Sequence, residues 1–245
     1  IRDGVQRGVI EGGNQSGIPY SRGFEVYDDR FLGKPLVFCG TVGVMPAVVG
    51  DGPSERKDIT PGDAVVMVGG RIGKDGIHGA TFSSEALHVE SPTHAVQIGD
   101  PITQKMMTDM LLEARDLGLY RTITDNGAGG LSSSVGEMAR LCNGARLDLD
   151  LAPLKYPGLA PWEILVSEAQ ERMSLAVPQD KVDDLLALAT RREVEATVIG
   201  RFEDSGRFRA FHNGELVADL SMDFLHEGCP RMELKAIWQQ PDYIT

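Results

Sequence analysis

The chain reads as an α+β protein built on a mixed sheet, an α/β sandwich, and three observations carry that assignment. From Pro61 onward, strand-like apolar runs alternate with segments of helical spacing. The first of those runs, DAVVMVGG at 63–70, is apolar nearly throughout, as a strand covered on both faces must be. The last two, FRAFH at 208–212 and ELVADL at 215–220, flank Asn213–Gly214, a strong signal for a type I′ hairpin and therefore for antiparallel pairing. Intervening helices combined with a closing hairpin give a sheet of mixed direction.

Taken in order, residues 1–60 are expected to be the C-terminal part of a preceding α/β domain. Val5, Val9 and Ile10 are helically spaced, and Gly12–Gly13 ends that helix. The stretch GNQSGIPYSRG is a polar loop, FEVYD at 24–28 is a strand, and PLVFCGTVGVM at 35–45 is a buried strand. Polar residues 51–60 form the junction, and 61–222 form the main domain. There, residues 71–85 are a glycine-rich loop. Asp100 caps a helix with Pro101 at its first position, Met106, Met107, Met110, Leu111, Ala114 and Leu117 form its inner stripe, and Gly118 stops it. YRTIT at 120–124 is a strand. The following helix takes Ser134 and Glu137 as a capping box, with Val135, Met138 and Leu141 on one face. ARLDLDL at 145–151 alternates as a half-exposed strand, and 161–167 is a short helix. RMSLAVP is a strand, Val182, Leu185, Leu186 and Ala189 mark a helix, and EATVIGRF is a strand. Residues 223–245 lose the pattern and read as a connector, with Trp238 available to dock on a neighbouring domain. The chain begins at Ile1 inside a helix-like segment, as a piece of a longer polypeptide would.

Composition narrows the function. An apolar fraction of 42% and a charged fraction of 24% are ordinary for a globular protein. A net charge of −12 argues against a nucleic-acid surface but leaves room for a small phosphorylated ligand held by local donors and a metal. No apolar run approaches the roughly 20 residues of a membrane span. Cys39, Cys142 and Cys229 form no CxxC pair and fit reduced, buried thiols in a cytoplasmic protein. His88 and His94 share an acidic loop and offer a weak metal-site alternative.

Four segments are too polar and glycine-rich to be plain scaffold. In TDNGAGGLSSSVGEMARL, 124–141, an acidic residue ends a strand, glycines follow, and a helix starts. That order presents backbone N–H groups to an anion. A carboxylate beside such a site is badly placed unless a cation lies between, so Asp125 points to Mg²⁺. An ordinary capped loop has the same letters. GGRIGKDGIHGATFSSE, 69–85, is neither a Walker loop nor a dinucleotide fingerprint, but it supplies Arg71, Lys74 and His78 beside many backbone donors. In HAVQIGDP, 94–101, Gln97 interrupts an apolar run, where an amide must find partners. In LVSEAQERM, 165–173, Glu168, Gln170, Glu171 and Arg172 do the same, or form a surface Glu–Arg pair.

In this order and spacing, GRIGKDGIHGATFSSE, HAVQIGDP, TDNGAGGLSSSVGEMA and SEAQERM resemble the synthetase subunit of the phosphoribosylformylglycinamidine synthase family. The resemblance implies an aminoimidazole ribonucleotide (AIR) synthetase-like second domain over about 61–222, preceded by the end of the family's first domain. It implies an ATP-dependent ligase in which the formyl amide oxygen of formylglycinamide ribonucleotide attacks the γ-phosphate of ATP. Ammonia from a glutaminase partner then displaces phosphate. Residue by residue, Asp125 matches the family's Mg²⁺-binding aspartate and Gln97 its substrate-binding glutamine. Glu168, Ala169 and Gln170 match the substrate-contacting Glu-Ser-Gln triplet, with Ala169 leaving only a backbone contact at the middle position. The family's catalytic histidines and its ATP-contacting basic residue lie upstream of this region, so no catalytic residue is expected here and the chain alone is not expected to turn over. Two other readings stay open: a related ATP-dependent synthetase with another substrate, and a non-catalytic scaffolding or docking domain of a larger assembly.

Overall fold

The computed structural model describes residues 2–50, 52–85 and 95–240. Helix α1 (Arg2–Ser16) packs on α3 (Pro101–Asp116). Among the described residues, the short strands β1 (Val48–Val49) and β2 (Gly52–Pro53) pair only with each other. From there the chain runs β3 (Ala64–Gly69), α2 (Gly79–Ser84), α3 (Pro101–Asp116), β4 (Thr122–Asp125), α4 (Gly130–Ala139) and β5 (Ala145–Asp148). It continues through α5 (Pro161–Val166), β6 (Arg172–Val177), α6 (Val182–Arg191), β7 (Ala196–Phe202), β8 (Arg207–His212), β9 (Glu215–Ser221) and α7 (Met222–Glu227).

Seven strands form one sheet in the order β4-β6-β3-β7-β5-β8-β9. Strands β5 and β8 pair in parallel and the other neighbours are antiparallel, so the sheet is mixed. The β8–β9 hairpin turns at Asn213 and Gly214, both at positive φ (51° and 76°), as a type I′ turn requires. Strand β3 is covered on both faces. Val65 and Met67 join a core with α4 (Leu131, Val135, Met138) and Ile164 of α5. Ala64, Val66 and Val68 join a second core with α3 (Met107, Met110, Ala114) and α6 (Leu185, Leu188). This is why 63–70 carries no polar alternation.

Several local expectations are corrected. Residues 24–28 and 35–45 form no strand, and Val42 and Val44 are fully exposed rather than buried. A strand needs a neighbour for its backbone groups, and among the described residues none lies beside them. Helix α1 passes through Gly12–Gly13 to Ser16 and stops before Gly17, whose φ is 73°. The 71–85 loop contains α2. Helix α4 begins at Gly130, four residues before Ser134, so the expected capping box is absent and left-handed Gly129 (φ 76°) occupies the cap. Leu117 and Leu141, at the ends of their helices, are exposed. Residues 149–151 close into a 3₁₀ turn rather than extending β5, and α7 opens the supposed connector. Trp238 is exposed. Of the thiols, Cys142 is buried whereas Cys39 and Cys229 are exposed. His88 and His94 lie outside the described residues.

Candidate functional site

The four polar segments meet at one carboxylate. Glu168 follows α5 in the loop that leads into β6 and is only 4% exposed. Its Oε2 accepts from the Ala80 N–H (2.9 Å) in the first turn of α2 and from Gln97 Nε2 (3.3 Å). Its Oε1 accepts from the Gly129 N–H (3.1 Å) at the cap of α4. Glycines permit the approach. A Cβ on Gly79 would sit 2.9 Å from the Ala95 carbonyl and 3.2 Å from both Gln97 Nε2 and Glu168 Oε2. A Cβ on Gly130, at φ 56°, would sit 2.2 Å from the Ser167 carbonyl. Gln97 thus bonds a side chain rather than the backbone, and its residue is itself exposed.

The loop carrying Glu168 is held from behind by Arg172. This guanidinium is 3% exposed and bonds no carboxylate among the described residues. Its Nε donates to the Ala169 carbonyl (2.8 Å) and its Nη2 to the Ser167 carbonyl. Burial lowers its pKa to about 10. The expectation of a surface Glu–Arg pair fails here, because Arg172 opens the sheet strand β6 and points into the core beside Met67. Ala169 is buried, and Gln170 Nε2 donates to the Glu168 carbonyl (2.9 Å).

Asp125 ends β4 and is exposed, with Oδ2 accepting from the Gly127 N–H (3.1 Å). Its neighbour Asn126 is 2% exposed. The Asn126 Oδ1 accepts from Ser174 Oγ (2.7 Å) and from Ser134 Oγ, while Nδ2 has no partner among the described residues. Ser134 therefore anchors the loop to the helix instead of capping it. No group of three or more His, Cys, Asp or Glu suited to a metal occurs among the described residues. Asp125 is a single exposed carboxylate, which fits Mg²⁺ because that ion keeps several waters and takes one or two carboxylates with substrate phosphates.

An open cleft of about 670 Å³ lies between β3, α3 and the 170–171 turn, with Gln170, Glu171, Asp100 and Arg71 in its wall. Of the predicted site residues, only Gln170 lines it. Arg71 is engaged by Glu195 (2.8 Å) and Lys74 by Glu163 (3.0 Å), so neither cation of the 69–85 loop stands unpaired as a phosphate ligand. Sequence reasoning missed the backbone donors of Ala80 and Gly129 and the buried role of Arg172. Only the glycines at 79 and 129–130 signalled the former.

Residues 60–213 match the family model described as AIR synthase related protein, C-terminal domain. The chain is 37% identical over 246 residues to phosphoribosylformylglycinamidine synthase subunit PurL of Methanopyrus kandleri, covering 98% of this chain and 33% of that protein. With the PurL subunit of Chlorobium luteolum the identity is 35%, over 98% and 32%. The chain thus spans about a third of the length of the curated relatives it matches. Among solved structures it is similar to T. maritima PurL complexed with FGAR, with a TM-score of 0.69 and 33% identity over 79% of this chain and 32% of that one. For T. maritima PurL complexed with ATP the TM-score is 0.64, at 30% identity over 81% and 31%. A mixed sheet flanked by helices, glycine loops gathered on one carboxylate, and a domain match over most of its length place this chain in the family of AIR synthase related proteins.

Proposed function

We propose that this chain is the part of a phosphoribosylformylglycinamidine synthase that helps hold formylglycinamide ribonucleotide and Mg²⁺ during ATP-dependent amidine formation in purine biosynthesis. The observation that carries the reading is the convergence of the 76–80, 97, 129 and 168–170 segments on Glu168. Its support comes from the PurL relatives, including structures complexed with FGAR and with ATP. Gln97 and Gln170 border the ribonucleotide, with Glu168 and the buried Ala169 of the triplet behind them. Asp125 supplies one carboxylate oxygen to Mg²⁺, which when bound neutralises phosphate charge. The residues of this chain contribute positioning rather than covalent chemistry, in keeping with the nature of phosphoryl transfer. The PurLQS structure of Thermotoga maritima, similar to this chain at 29% identity and a TM-score of 0.63, supports a glutaminase-bearing partner as the ammonia source. The remaining domains of the synthetase would supply the ATP contacts. No described helix is long and apolar enough to cross a membrane.

Calorimetric titration of the chain with formylglycinamide ribonucleotide and Mg²⁺ tests this. Saturable binding is expected, with Asp125→Asn weakening the Mg²⁺ dependence more than about tenfold while leaving the circular dichroism unchanged. Absence of any binding would favour a scaffolding domain. Amidine formation by the chain alone with ATP and ammonia would overturn the division of labour assigned here.

A further inference from the structure

We infer that Glu168 is a positioning residue, a latch that ties three loops of the site together from inside the protein instead of reaching out to the ligand. This deepens the proposed function and rests on it only for its consequence in ligand affinity. The carboxylate is 4% exposed and both of its oxygens are engaged. One takes the Ala80 N–H and the Gln97 amide, and the other takes the Gly129 N–H. These donors lie 88, 71 and 39 residues away in the chain, on three segments that share no strand pairing. A buried carboxylate accepting backbone N–H groups makes charge-assisted bonds, stronger than neutral ones. The backbone behind it is fixed as well. Arg172 grips the Ser167 and Ala169 carbonyls on either side of Glu168, and Gln170 Nε2 grips the carbonyl of Glu168 itself. The side chain is therefore aimed at the loops by a buried cation that, among the described residues, bonds only neutral groups. The loops approach the latch closely: a Cβ on Gly79 would lie 3.2 Å from Glu168 Oε2, and one on Gly130 would lie 2.2 Å from the Ser167 carbonyl. Gln97 is the group through which the latch meets the ligand. Its Nε2 donates to Glu168, and the residue is itself exposed.

Amide hydrogen exchange by NMR on the ligand-free chain tests the latch. In the wild type, the Ala80 and Gly129 amides should exchange at least about tenfold more slowly than unstructured amides. Glu168→Ala should release both. Glu168→Gln, with a single acceptor oxygen, should release one of them and keep the other. The core amides of Met110 and Leu175 should keep their protection in both variants. Formylglycinamide ribonucleotide should bind Glu168→Gln about tenfold more weakly, and at saturation it should restore the lost protection, which a general loss of stability would not allow. Unprotected Ala80 and Gly129 amides in the wild type would overturn the inference even if no variant folds. So would unchanged exchange at both in folded Glu168→Ala. Protected amides without ribonucleotide binding would leave the latch standing and remove the proposed function, so the two failures are distinguishable.

Discussion

Glu171 is the carboxyl whose protonation the site perturbs through its surroundings. It lines the cleft next to Gln170, sits at a left-handed φ of 55°, and is pushed above the usual carboxylate range by burial, against the opposing pull of the Asp100 N–H and of Lys155. Asp100 and Asp75, the other acids acting on it, push in the same direction as burial. A carboxyl whose folded pKa is raised holds its proton more tightly in the native state than in the unfolded one. Its ionisation therefore costs stability, and the cost appears as pH rises from the unfolded value through the folded one. Glu171→Gln removes that titration. The variant is expected to lose less stability than the wild type between about pH 4 and pH 7, and urea unfolding across that range measures the difference directly. A constant gap between the two curves would mean that the Glu171 carboxylate is solvated in the folded state.

The elements that were legible in the sequence are those whose side chains report their own surroundings. Helix α3 is the clearest: Asp100 caps it by accepting from the Thr103 N–H, Pro101 follows, and Met107, Met110, Leu111 and Ala114 face the core. Met110 is fully buried, so Met110→Ala should cost about 2–5 kcal/mol, measured by chemical denaturation. Wild-type stability would show that the stripe is misassigned. The β8–β9 hairpin was legible because both turn residues need positive φ, and β3 because two covered faces leave no polar alternation. The failures share a cause. Ser134 and Glu137 have a cap's spacing, but Gly130 can turn four residues earlier under the Ser167 carbonyl, a contact 37 residues away that local pattern does not contain. Residues 35–45 have a buried strand's composition, yet composition cannot supply the neighbouring strand. At the site, residue types marked Gln97 and Glu168, whereas their mutual bond and the backbone donors opposite them depend on which loops the sheet brings together.

At the scale of the whole molecule, order is distributed unevenly along the chain. Among the described residues, the buried members of both hydrophobic cores run from Ile59 to Met222, with Leu225 packed against the first, and the seven-stranded sheet lies within the same span. Between Gly17 and Val48, Lys34 alone is not exposed, and Phe24 and Phe38 are 84% and 87% accessible. Lys34 tethers that stretch to the end of α2 through the Phe82 and Glu85 carbonyls and stacks on the Phe82 ring at 5.0 Å. A protease must bind an extended segment, so the free energy of opening a site controls its cleavage. Opening costs little where no core residue is displaced and much where a sheet must be dismantled. Trypsin offers a direct comparison, because Arg22 and Arg30 lie in the exposed stretch whereas Arg146, Arg172 and Arg201 lie in strands. Brief digestion of the chain should cut first after Arg22 or Arg30 and leave a resistant fragment containing 59–225, identifiable by mass spectrometry. That fragment should unfold cooperatively with a midpoint close to that of the uncut chain, since neither core loses a residue. Early cleavage inside the sheet, or a fragment that no longer melts cooperatively, would mean that residues 2–50 contribute to the stability of the sheet, through α1 packed on α3 and the Lys34 tether, far more than their burial accounts for.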